Sequence, residues 1–162
     1  MIKLEPFSSD DFSRLILWND TERKLTQFAG TLFTYPLTTT QLKKYCNNPQ
    51  LFPKKIIALD TGEVIGHCEL NFSNEIPRLS RILIGDENYR GKGFGKHIVN
   101  LMIEEIKAKN KTKQLELKVY SWNNVALKLY ENCGFVVDTE LSHPFQFSPT
   151  EIWESIHMIK EI

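Results

Sequence analysis

A mixed α/β fold is what this 162-residue sequence predicts, with a mostly antiparallel central sheet, one parallel strand pair and flanking helices. Two observations carry the prediction. Strand, amphipathic helix and strand follow one another between Leu79 and Tyr120, and that succession makes the two strands parallel. Ahead of it, two strand-like runs flank Asp60-Thr61-Gly62, a turn signal that reads as an antiparallel hairpin. The length suits one domain spanning residues 1–162, and 41% hydrophobic with 25% charged residues is globular composition.

The elements follow in order. Ile2 to Phe7 reads as a short strand. Ser9, Asp10 and Asp11 then supply the cap and first-turn acids of a helix that turns Phe12, Leu15 and Ile16 inward. A second helix follows Pro36, where Thr38 and Gln41 have capping-box spacing and Leu42, Tyr45 and Cys46 form the apolar face. Lys55 to Leu59 and Glu63 to Phe72 make the hairpin. In its second strand Val64, Gly66, Cys68, Leu70 and Phe72 share one parity and Ile65, His67, Glu69 and Asn71 the other, which puts Glu69 on the more polar face. Ile82-Leu83-Ile84 is a continuous apolar run of the kind covered on both sides. A helix from about Gly95 to Lys109 presents Ile98, Met102 and Ile106 in one row. After the Leu115 to Tyr120 strand, Asn123 or Asn124 caps a helix expected to bury Val125, Leu129 and Cys133, and Gly134 ends it. Phe135 to Leu141 and Ile152 to Met158 close the sheet.

Charge and cysteines exclude several classes. Lys plus Arg and Asp plus Glu number 20 each, so the basic excess of a protein that lives on nucleic acid or anionic membrane is missing. No run approaches the ~18 apolar residues of a membrane span, and the first residues lack the features of a secretion signal. Cys46, Cys68 and Cys133 sit among apolar neighbours without metal-type pairing, so reduced thiols, a cytoplasmic setting and no metal are expected.

The segment from Gly85 to Lys96 carries the chemistry. It leaves a buried strand and opens an amphipathic helix, with Gly91, Gly93 and Gly95 letting a ligand approach the backbone. Amide groups free at a helix start are donors with a partial positive charge, an anion-binding arrangement. Arg90, Lys92 and Lys96 add cationic side chains suited to polyphosphate. No Ser or Thr follows a Gly-Lys pair as in a nucleoside triphosphate loop, and the spacing is not that of a dinucleotide fold.

Arg90-Gly91-Lys92-Gly93-Phe94-Gly95 is similar to the coenzyme loop of the GNAT superfamily of N-acetyltransferases, Gln/Arg-x-x-Gly-x-Gly/Ala. A second segment resembles the same family: Asn123, Ala126, Tyr130, Gly134 and Phe135 match its N-x-x-A-x-x-x-Y-x-x-x-G-F pattern. The two motifs, in family order, cover about residues 79–137. The resemblance implies acetyl-coenzyme A as donor, its diphosphate on Gly91, Lys92, Gly93, Phe94 and Gly95, with Arg90 and Lys96 at the loop edges and Asn123 among the coenzyme contacts. It further implies that pantetheine runs beside the backbone of Ile82, Leu83 and Ile84, whose side chains stay in the core, and that the sheet splays between this strand and the Leu115 to Tyr120 strand.

Transfer to an amine then needs an acid for the departing thiolate and a base for an alkylammonium with a pKa of about 10. The resemblance gives the acid role to Tyr130, on a row with Ala126 facing a cleft. Where some family members carry a base, Pro77 to Arg81 holds no acid, and Glu69 is the substitute, with His67 or water as alternatives. Arg81 suits either a phosphate or a nearby carboxylate. Direct transfer in a ternary complex to an amine-bearing small molecule or a peptide N-terminus is the expected activity. A non-catalytic acyl-coenzyme A binding or sensing domain is the alternative, a nucleotide-binding module a third. A homodimer, the acceptor's identity and a longer acyl donor stay open.

Overall fold

In the computed structural model, which describes residues 1–162, the sheet has seven strands in the order β1-β2-β3-β4-β5-β7-β6. These are β1 (Ile2–Pro6), β2 (Leu51–Ala58), β3 (Val64–Asn71), β4 (Arg78–Ile84), β5 (Gln114–Tyr120), β6 (Val136–Ser148) and β7 (Glu151–Glu161). Every neighbouring pair is antiparallel except β4 and β5, as the crossover through α4 (Phe94–Lys109) requires. The expected mixed α/β architecture is therefore present. The β4–β5 pair meets at Arg78↔Glu116 and has no pairing beyond it, so the sheet opens along the C-terminal half of both strands.

Two apolar clusters lie on opposite faces. Ile98, Met102 and Ile106 of α4 are fully buried against Cys68 and Leu70 of β3 and Leu115 and Leu117 of β5. The other face carries α1 (Phe12–Trp18), α2 (Glu22–Ala29) and α3 (Thr39–Cys46), packed through Leu15, Leu25, Phe28, Leu42 and Tyr45. The helix α2 was not legible as a separate element, although Thr21 caps it through the Lys24 amide at 3.1 Å and Leu25, Phe28 and Ala29 are its buried row. Thr38 caps α3 as its spacing predicts, through the Gln41 amide at 3.3 Å; the Gln41 carboxamide goes instead to Thr34.

Several local expectations need correction. The parity of β3 breaks at its start: a bulge opposite Ile56 and Ile57 turns Ile65 into the α4 cluster. Ile82, Leu83 and Ile84 are half-buried, because the strand on one side of them has moved away. In α5 (Asn124–Asn132) the expected buried row holds only in part: Leu129 and Cys133 pack half-buried against the main cluster, Val125 is 85% exposed, and Tyr130, expected on a cleft-facing row, is buried in that cluster. β6 also continues beyond the expected end at Leu141 to Ser148, making a long hairpin with β7.

Candidate active site

The turn after β4 is held from below. Gly85 donates to the Ile65 carbonyl at 2.9 Å, and a Cβ there would lie 1.9 Å from the Trp18 ring. Arg90 Nε donates to the Ile84 carbonyl at 2.8 Å, and the Tyr89 hydroxyl donates to Glu63 at 3.2 Å. Above this base the chain turns through Gly91 (φ 71°) and Gly93 (φ 82°), conformations that L side chains adopt at a cost. Nothing lies within 4 Å of where a Cβ would stand at either position. Gly95 is glycine for another reason: it is helical, and a Cβ would come 2.7 Å from Leu129 of α5. The amides from Gly91 to Lys96 find no hydrogen-bond partner in the chain. They sit at the positive end of a 16-residue helix, beside exposed Lys92 and Lys96 that make no ion pair. Arg90 faces Glu87 at 3.8 Å in the open.

Between this turn and β5 the sheet is open. β3 and β4 pair as Glu69↔Ser80 and then His67↔Leu83, so β4 has one extra residue, and Arg81 and Ile82 have no partner on β3. Arg81 is left-handed at φ 50°, the non-glycine residue of the chain with positive φ. At the root of the opening, Arg78 Nε and Nη2 donate to Glu116 Oε1 at 3.1 and 2.8 Å, and His157 Nε2 lies 2.8 Å from Glu116 Oε2. Asn123 caps α5 by accepting from the Ala126 amide at 3.2 Å.

Tyr130 is 8% exposed, its ring 6.3 Å from that of Phe135. Burial pushes its phenol well above the ordinary tyrosine value, so it is protonated at every physiological pH. Its hydroxyl is neither paired within the chain nor sealed from solvent, which leaves it able to donate to an incoming group.

The polar face of β3 is not open to solvent. Glu69 is fully buried under α3, and Oε1 accepts from Arg81 Nη1 at 2.6 Å while Oε2 accepts from the Tyr45 hydroxyl. Burial raises its pKa, against the pull of Arg81. Burial, then the Glu69 charge, raises the Tyr45 phenol. His67 is 1% exposed, packed edge-on to Phe7 and Phe28 with Nε2 3.2 Å from the Tyr45 hydroxyl. Burial and then Arg81 lower its pKa to about 3, so it is neutral. With both oxygens of Glu69 engaged and no exposed surface, direct proton abstraction from a bound amine has no path to it. His67 is equally closed. The sequence reading missed Tyr45 here, having assigned it to packing; the charged partners of its hydroxyl lie on other elements, so no local signal marked it.

On the same sheet face, past the opening, Tyr120, Trp122, Phe145, Phe147 and Trp153 form a wall of rings, with Phe147 stacked on Trp153 at 4.2 Å and Arg23 5.0 Å above Phe147. Glu151 fastens Arg23 at 2.7 Å and accepts from Trp153 Nε1 at 2.7 Å. No cluster of His, Cys, Asp and Glu has the arrangement of a metal site, the cysteines are unpaired, and no helix is long and apolar enough to cross a membrane.

A seven-stranded mixed sheet split beside a glycine turn with free helix-start amides leaves anion-binding donors next to an open strand edge. The sequence profile of the acetyltransferase (GNAT) family matches residues 17–135, and the chain belongs to that family. Spermine/spermidine N(1)-acetyltransferase of Bacillus subtilis (strain 168) is 36% identical over 63 residues, 39% of this chain and 41% of that protein. N-alpha-acetyltransferase 30 of Xenopus laevis is 35% identical over 99 residues, 59% of this chain and 35% of the relative. The chain thus aligns with about two fifths or less of these curated relatives' length. Among solved structures, spermidine N-acetyltransferase from Vibrio cholerae with CoA and spermine superposes with a TM-score of 0.81 at 18% identity, covering 99% of this chain and 95% of that one. The aminoglycoside acetyltransferase AAC(6')-Ib with ribostamycin and coenzyme A gives 0.76 at 15% identity, covering 99% and 93%. At such identities the superpositions speak for the fold.

Proposed function

We propose that this protein is an acetyl-coenzyme A dependent N-acetyltransferase that moves the acetyl group directly to a primary amine. One observation carries the reading: the amides from Gly91 to Lys96 are unpaired within the chain at a helix N-terminus, beside exposed Lys92 and Lys96. In this reading Gly91, Lys92, Gly93, Phe94 and Gly95 cradle the diphosphate with Arg90 and Lys96 at its edges. The backbone of Ile82, Leu83 and Ile84, half-exposed along the opening, takes the pantetheine arm, and Asn123 borders it. The amine nitrogen attacks the thioester carbon, the C–S bond breaks as the C–N bond is completed, and Tyr130 gives its proton to the departing thiolate. The nitrogen's own surplus proton leaves to water, since Glu69 and His67 are closed off.

Family membership supports the donor, and the polyamine acetyltransferases among the relatives support an alkylamine acceptor. Residues 1–162 are taken as one domain because a single sheet carries both clusters. A cytoplasmic setting agrees with three unpaired cysteines. A homodimer would cover exposed Val136, Val137 and Leu141 on the edge strand β6, and light scattering tests it. The rival reading, a non-catalytic acyl-coenzyme A sensing domain, draws its support from the closure of Glu69. Titration calorimetry with acetyl-coenzyme A, coenzyme A, ATP and NAD, followed by thiol release with a panel of amines, separates the readings. Coenzyme binding without thiol release favours the sensor; no coenzyme binding ends both.

A further inference from the structure

The bend in β4 demands a cause. Arg81 sits at φ 50°, a conformation an L residue adopts only when its surroundings impose it. The bulge it makes also forfeits pairing to β3 at Arg81 and Ile82, and neither residue pairs with β5. The side chain of the same residue runs into the face beneath α3 and donates Nη1 to Glu69 at 2.6 Å, and Tyr45 of α3 closes the other oxygen. Three elements therefore meet at one carboxylate. A buried ion pair is a poor way to add stability, since apolar residues of similar volume usually do as well. What it supplies is direction: Glu69, whose other oxygen accepts from Tyr45, draws the guanidinium inward through Nη1, while Arg81 Nε is buried without a partner.

We infer that Arg81 is a positioning residue for acetyl transfer, its ion pair with Glu69 and Tyr45 holding the β4 bulge in the shape that offers the unpaired backbone of Arg81 and Ile82 to the thioester. This rests on the acetyltransferase reading above. The ion pair touches neither substrate; it acts through the backbone it bends. It also joins α3, in the helical layer opposite α4, to the strand beside the opening, so a change at Tyr45 is felt at the thioester.

The test separates backbone shape from side-chain charge. Glu69→Gln removes the charge that would be stranded without its partner, and in that background Arg81→Gly is compared with Arg81→Ala. Glycine keeps φ near 50° without help, whereas alanine relaxes out of it. Both variants should still bind coenzyme A, because the diphosphate turn is untouched, while kcat at saturating acetyl-coenzyme A for the alanine variant falls at least about tenfold below that of the glycine variant. Equal kcat values in two folded, coenzyme-binding variants would overturn the inference, because a role in stability or charge alone predicts no such split. Should a double variant fail to fold, Tyr45→Phe removes one hydroxyl from Glu69 and is expected to lower kcat about threefold to tenfold at saturating acetyl-coenzyme A; an unchanged kcat overturns the proposal. An unaltered protein that neither binds coenzyme A nor releases thiol is a different result: it removes the acetyltransferase reading itself, and this inference with it.

Discussion

Replacing Tyr130 by phenylalanine deletes one oxygen from a ring that otherwise keeps its place against Phe135 and the main cluster. The hydroxyl makes no hydrogen bond within the chain, so its removal leaves no buried partner stranded. The change in folding stability should stay within about 0.5 kcal/mol. Catalysis is different. A positioned general acid contributes about 10²- to 10⁴-fold, or roughly 2.7–5.5 kcal/mol of transition-state stabilisation, and that loss should appear in kcat. Coenzyme affinity should not move, because the diphosphate turn is on another element. Burial raises the phenol's pKa, so the acid stays protonated across the assay range and activity should not decline on the alkaline side before about pH 10. The assay is thiol release under saturating acetyl-coenzyme A from pH 6 to about 10, with coenzyme binding measured by calorimetry. A variant with undiminished kcat, or one whose coenzyme affinity falls in step with kcat, refutes the acid role.

Other outcomes follow from the same geometry. Glu69→Ala strands the Arg81 guanidinium and frees the Tyr45 hydroxyl; breaking a buried pair costs about 3–5 kcal/mol. Thermal denaturation should show a midpoint lowered by about 6 °C or more, and an unchanged midpoint would mean the pair is not formed. His67 has its folded pKa lowered from 6.5 to about 3, so the unfolded chain binds the extra proton between those values. Stability from this group is complete above pH 6.5 and is lost as pH falls toward 3, at about 1.4 kcal/mol per unit. Denaturant midpoints for His67→Gln should be flatter with pH over that window than those of the unaltered chain, and parallel curves would contradict the buried neutral imidazole. Gly93→Ala places an L residue at φ 82° with room for the methyl, so the penalty is in the backbone, about 1–2 kcal/mol. Taken up as a distorted cradle, this weakens coenzyme A binding about tenfold by calorimetry; unaltered affinity would detach the turn from the diphosphate.

What could be read without the structure followed the range of the physics. The Gly85 to Lys96 turn was legible because its features are local: glycines at left-handed positions, a helix start, nearby cations. The core row of α4 and the caps at Thr38 and Asn123 are local in the same sense. The buried side of α5 was only partly placed, at Leu129 and Cys133, because periodicity finds a helix without fixing which side it turns inward. With Val125, Ala126, Leu129 and Tyr130 all apolar or amphipathic, the side is chosen by the place of β5 and α4, and Tyr130 joined Leu129 and Cys133 against the cluster while Val125 was left outside. The short helix α2 escaped notice because its polar residues outnumber the buried ones, Leu25, Phe28 and Ala29.

Glu69 shows the limit most clearly. The alternation of β3 correctly separated His67, Glu69 and Asn71 from Cys68 and Leu70, and a row of polar side chains reads as a wet face. Whether a sheet face is wet depends on what lies over it. Here α2 and α3 cover it, so the carboxylate is buried and pairs with Arg81 and Tyr45 instead of lying open to solvent. A polar residue in a strand therefore carries two readings that diverge in chemistry, an accessible base or a buried anchor, and only the covering layer decides between them. In this protein that layer is built from residues 12–46, away from the two motifs within residues 79–137, so the donor half of the reaction was open to inference from the chain while the proton's route was not.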